Sequence, residues 1–255
     1  MSGLALFAHQ FRYDQKVFWR NPASVFFTVA FPVVLLLIFA TVFGDETVDV
    51  RGGIDTTAYY VPAIITLAVI SATMQSLAMS LVIAREDGRL KRGRGTPMPA
   101  WVFIAGRVGN SCVVALMMLV LIAAIGRIAY GVAVPWDQLP QVVFTLLVGA
   151  AAFCCLGIAL TAAIPSQDAA APIVNALLLP LYFLSGIFIP EDELPTGVID
   201  FANHFPIRPF FQAFFDAYAP GAAGLDWANI AVLAAWGVAG LLLAIRYFRW
   251  TPRGG

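Results

Sequence analysis

The densest set of chemically capable side chains lies in residues 85–94, REDGRLKRGR, where seven of ten positions are charged. Such a run suits a phosphate backbone, a membrane surface or another protein. Nucleic acid fits poorly, because the run is short, contains Glu86 and Asp87 and lacks interleaved aromatics. The sequence Gly93-Arg94-Gly95-Thr96-Pro97 lacks the Gly-Lys-Ser/Thr ending of a phosphate loop, and Pro97 removes a backbone donor. Two histidines, His9 and His204, fall on opposite sides of the expected topology, and both are expected at the surface. Cys112, Cys154 and Cys155 lie in apolar stretches without metal-ligand spacing and are expected to be small buried hydrophobes. No nucleophile–base set, metal motif or Walker A loop is present, so the chain is not expected to be an enzyme and should hold no metal or cofactor.

The elements that position these residues follow from composition. Of 255 residues, 60% are hydrophobic and 12% charged, against about 45–50% and about 25% in soluble domains. A helix of about 20 apolar residues crosses a bilayer core about 30 Å thick. Six stretches qualify, near 25–43, 58–84, 108–132, 141–164, 169–189 and 228–245. They do not alternate as barrel strands would, so an all-α polytopic membrane protein with six transmembrane helices is expected. The whole chain, 1–255, reads as a single transmembrane domain.

Twelve of the fifteen basic residues fall on one side of this topology, and eleven of the fifteen acids on the other. Basic loops mark the cytoplasm, so both termini and residues 85–107 are expected there. The first twenty residues show no signal-peptide pattern, and the abundance of Ala, Gly and Arg suggests a bacterial source. The expected location is therefore a bacterial inner membrane.

Residues 1–21 carry Leu4, Phe7, Phe11 and Phe18 within about one-sixth of a helical wheel. Arg12, Lys16 and Arg20 form a separate face. This predicts an N-terminal interfacial helix whose basic face meets lipid headgroups; Asp14, near the apolar edge, is the misfit. Residues 190–227 are rich in Phe and Pro and predict short helices in the outer leaflet or on the helix tops. No acid sits in mid-span, Asp168 lies at a mouth, and Arg127 lies near a span end where it can snorkel. Uphill transport would need energy from outside the spans.

Four passages carry a resemblance to a known family: WRNPASVFFTVAFPVVLLLIFATVFG, AREDGRLKRGRGTPMPAWVFIAGRV, LYFLSGIFIPEDELP and FANHFPIRPFFQAFFDAY. In this order and spacing the chain resembles the ABC-2 type exporter permeases, notably the daunorubicin and drug-resistance branch. It departs from the family's Gly-x-Leu-Glu pattern, since Lys91 follows Leu90.

The resemblance implies one half of a multidrug efflux exporter linked to antibiotic resistance. A second permease chain, identical or similar, and separate ABC ATPase subunits that bind ATP and Mg would complete it. Residues 85–107 would form the coupling loop, with Glu86, Asp87, Gly88, Arg89 and Leu90 contacting the ATPase and Leu90 as an apolar knob. Asn175, Leu178, Tyr182 and Gly186, spaced along one face of the fifth span, would line the dimer seam and substrate path. The cargo expected is a hydrophobic or amphiphilic small molecule. An anchor or regulatory subunit, an ion-coupled carrier and a lipid-linked glycan exporter remain alternatives.

Overall fold

The computed structural model describes residues 3–43, 47–48, 54–94, 100–219, 224–248 and 250–251. Residues 95–99, Asp45, Glu46, Asp49, Arg51, Pro220, Arg249 and Arg253 therefore lie outside the described residues, and with them the Thr96-Pro97 passage.

Helix α1 spans Gly3–Trp19. After it, Asn21 caps the next helix by accepting a hydrogen bond from Ser24 N at 3.3 Å, and Pro22 occupies the first turn, where its missing N–H costs nothing. Helix α2 then runs Pro22–Val42, with a π-helical turn at Phe26–Ala30. Strands β1 (Thr47–Val48) and β2 (Ile54–Asp55) pair antiparallel. Helix α3, Thr56–Glu86, has its own π-helical turn at Ser71–Gln75. Short α4 (Arg89–Arg94) leads to α5 (Ala100–Tyr130), then α6 (Leu139–Leu160) and α7 (Ala170–Leu184). The outer connection contains α8 (Thr196–Ala202) and α9 (Ile207–Tyr218), and α10 (Trp227–Tyr247) closes the bundle.

Five helices have the length and apolarity to cross a membrane: α2, α3, α5, the stretch Trp136–Leu160 and α10. The fifth expected span is the exception. Helix α7 has only 15 residues, about 22 Å at 1.5 Å per residue. It stops because the chain turns at Gly186, whose φ of 92° belongs to the left-handed region. The Tyr59 hydroxyl donates to the Gly186 carbonyl, and the Tyr60 hydroxyl donates to Phe188 O at 3.2 Å. Two aromatic side chains from the start of α3 thus hold the exit from α7.

Helix α3 is the axis of the bundle. In its most apolar window 72% of residues are buried, against 22% in α2 and α10, which are peripheral. Phe210, Phe211, Phe214 and Phe215 of α9 are all buried, and Tyr59 meets Phe211 and Phe215 at centroid distances of 5.8 and 5.4 Å. Of the two expected placements, in the leaflet or on the helix tops, the fold shows α9 packed on helices, against α3, α6, α7 and α10. Close approach needs small residues, as is usual between helices in lipid. A Cβ on Gly240 of α10 would lie 2.9 Å from Leu156 N of α6, and one on Gly149 of α6 would lie 2.2 Å from the Phe210 ring.

The apolar face of α1 is covered by protein. Phe7 and Phe11 border Gly109 of α5, and Gln10, Asp14 and Phe18 are buried. Arg12, Lys16 and Arg20 stay exposed. Helix α1 is thus docked on α5, and Tyr13, Val17 and Trp19 are exposed beside its outward basic residues. Asp14 is no misfit: it belongs to the buried stripe.

Candidate functional site

Residues 81 and 85 share a helical face, and α3 buries Leu81 and Arg85 together. The Arg85 side chain is 2% exposed. Its Nη1 donates to Thr161 O at 2.9 Å and its Nη2 to Ile164 O at 2.7 Å, while Nε donates to Glu86 Oε1 at 2.7 Å. Helix α6 ends at Leu160, so Arg85 satisfies carbonyls that a helix end leaves without intrahelical partners. Its charge is compensated by Glu86. The connection from α6 to α7 is thereby fastened to the base of α3.

Asp87 follows, and Gly88 adopts φ 68°. That conformation costs a glycine little and lets the chain leave α3 sharply into α4. Arg89 Nη2 pairs with Asp87 Oδ2 at 2.7 Å, with the two side chains 40% and 46% exposed. Arg92 Nη2 donates to Asp87 O at 3.2 Å. Lys91 and Arg92 are also exposed.

The structure locates two of the residues expected at this elbow. Leu90 is only 1% exposed, so it anchors α4 from within and is not a surface knob. Glu86 is half-buried, and its Oε1 accepts from Arg85 Nε at 2.7 Å. Among the described residues, the exposed charges of the elbow are Asp87, Arg89, Lys91 and Arg92. The sequence had counted Arg85 only as one charge among seven; its i+4 relation to Leu81 at the end of an apolar helix was the available signal.

The expected face on α7 divides. Leu178 and Tyr182 are core residues, and Gly186 lies beyond the helix end. Asn175 is exposed, and its Oδ1 accepts from Gln75 Nε2 at 3.0 Å. Gln75 closes the π-helical turn of α3, and such turns shift the register of following side chains and often occur at functional sites. The structure thus pairs Asn175 with a residue that sequence spacing could not supply, one hundred positions away. Leu177, Leu179 and Phe183 are exposed along the same helix, so this polar pair lies amid an apolar outer face.

Arg127 is exposed near the end of α5, and Asp168 is exposed before α7. His9 and His204 are exposed; His204 Nδ1 lies 2.8 Å from Asp200 O, a contact local to α8. Cys154 is buried, Cys112 and Cys155 are half-buried, and all three are free thiols. Among the described residues, no group of three or more His, Cys, Asp or Glu side chains converges as metal ligands.

This arrangement of long apolar helices around α3, with a charged elbow between α3 and α5, agrees with comparisons to known proteins. Residues 5–218 match the family described as ABC-2 type transporter. The chain is 23% identical over 237 residues to "Putative transport permease YvfS" of Bacillus subtilis (strain 168), an alignment covering 92% of this chain and 94% of that protein. It is 24% identical over 152 residues to "Probable multidrug ABC transporter permease YbhR" of Escherichia coli (strain K12), covering 60% of this chain and 41% of that protein. The chain therefore belongs to the ABC-2 type transporter family and is a multi-pass membrane permease.

Proposed function

We propose that the protein is the membrane subunit of an ATP-driven exporter in a bacterial inner membrane, with both termini cytoplasmic. It moves a hydrophobic or amphiphilic compound out of the cytoplasm or inner leaflet. ATP and Mg are bound by a separate ABC ATPase subunit, and a second permease chain completes the route. The observation that carries this reading is the path from Asp87 and Arg89 through the Arg85 latch to the Thr161 and Ile164 carbonyls ahead of α7. Force applied at the exposed elbow is passed to the connection that enters α7, the helix bearing Asn175. Because Leu90 is internal, ATPase recognition rests on the outward charges alone. The exposed Gln75–Asn175 pair supports a seam or cargo route, since polar groups at membrane depth face protein or a cavity in preference to lipid.

The test is a charge exchange, Asp87→Arg with Arg89→Glu, followed by copurification of the ATPase in mild detergent and cargo-stimulated ATP hydrolysis in liposomes. Copurification should fall by about tenfold, the equivalent of about 1.4 kcal/mol, while the permease keeps its melting temperature. Unchanged assembly and transport would remove the elbow from the coupling interface.

A further inference from the structure

A second polar cluster shares no residue with the site described above. Where α1 meets the bundle, a cavity of ≈ 80 Å³ is lined by α1, the start of α2, and α3 and α5. A single water needs about 10–15 Å³ by the same measure, so the space admits a small polar group. Its polar lining includes Asp14, Ser76, Ser80, Arg107, Asn110 and Ser111, and exposed Val17 stands among the lining residues.

The two charges in this cavity attract each other without meeting in a hydrogen bond. Asp14 Oδ2 accepts from Gln10 Nε2 at 3.0 Å, and Arg107 Nη1 donates to Ser80 Oγ at 2.9 Å. The Arg107 guanidinium also lies 4.7 Å from the Phe103 ring centroid. Two buried atoms of the lining, Arg107 Nε and Asn110 Oδ1, have no hydrogen-bond partner among the described residues. The first is a donor on a cation and the second an acceptor. Burial raises the Asp14 carboxyl above its ordinary value of 3.8, and attraction to Arg107 and the Gln10 hydrogen bond only partly counter this. A buried carboxylate in that position gains from a further cation.

A simple anion would be repelled by Asp14, and a simple cation by Arg107. A ligand with both signs of charge meets both demands. The position also suits lipid, because α1 turns its exposed Arg12, Lys16 and Arg20 outward beside the start of α2. We infer that this cavity binds the phosphoethanolamine headgroup of a membrane phospholipid, with the phosphate at Arg107 and the ammonium between Asp14 and Asn110. The bound lipid would tie α1 to α3 and α5 as a structural or regulatory ligand, distinct from exported cargo.

The full chain, purified in mild detergent and stripped of lipid, would be offered equal amounts of phosphatidylethanolamine and phosphatidylglycerol with identical acyl chains. Retention would be read by native mass spectrometry. Wild type should retain phosphatidylethanolamine about tenfold better, as expected for one well-placed charged contact. Asp14→Asn should abolish that preference, and Arg107→Lys, which keeps the charge but loses the fork, should weaken retention of both lipids. If Arg107→Lys cannot be recovered folded, Ser80→Ala should give the same loss at smaller size. Equal retention of the two lipids by wild type, or wild-type preference in Asp14→Asn, would overturn the inference. Displacement by an equal concentration of soluble glycerophosphoethanolamine would overturn the lipid source and assign the cavity to a soluble phosphoamine. These outcomes do not depend on ATP or on cargo, so they stand apart from the exporter reading.

Discussion

Two arginines, Arg85 of α3 and Arg208 of α9, are buried, and they solve the same problem differently. Arg85, at the last turn of α3, donates to two backbone carbonyls beyond the end of α6 and to Glu86. Arg208 of α9 donates to side chains, Asn203 Oδ1 and Glu191 Oε2, both at 2.8 Å. Gln212 Nε2 reaches the same Glu191 oxygen at 2.8 Å. A bond to backbone carbonyls cannot be rearranged by choosing another rotamer, whereas a bond between side chains can. Arg85 therefore joins α3 to the α6–α7 connection, and Arg208 closes a local cap over α9. Rigidity at the elbow is what a device for passing force requires; the outer segment needs only to keep its aromatic helix seated.

The comparison is broken most directly by Arg85→Ala. Removing the guanidinium strands the Thr161 and Ile164 carbonyls and leaves Glu86 without its partner, so a loss of about 3 kcal/mol is expected, read as the largest fall in melting temperature among these variants. ATPase-stimulated export should fail even where folded protein remains. Arg208→Met should cost less, about 2 kcal/mol, because Glu191 sits at the edge with a third of its side chain exposed and retains Gln212. If Arg208→Met proves the more damaging change, the distinction between backbone and side-chain fastening is wrong. The smallest effect is expected from Asn175→Leu, which touches neither arginine. Hydrogen bonds between membrane helices average about 0.6 kcal/mol, so its melting temperature should barely move while the profile of exported compounds changes. An unaltered profile would place the Gln75–Asn175 pair outside the cargo route.

Much of the fold was legible because lipid imposes a coarse code. Apolar length located α2, α3, α5, α6 and α10. The break at Asn21-Pro22 was legible from proline's restriction of the residue before it. The fifth span was overlong in the sequence reading because 185–189 is apolar and composition cannot see a left-handed glycine. The packed state of α1 was missed for a related reason: a helical wheel reports an apolar face but not what covers it.

The site divides in the same way. Sequence alone determined that the chain is a helical membrane protein with a charged elbow between its second and third spans, because hydrophobic length and charge are additive along the chain. Tertiary structure decided that Leu90 turns inward, that Arg85 fastens one span to the next, that Asn175 meets Gln75, and that Asp14 and Arg107 share a cavity. Each of these depends on a partner far away in the sequence, mostly a backbone carbonyl or an uncharged side chain, and such partners leave no mark on local composition.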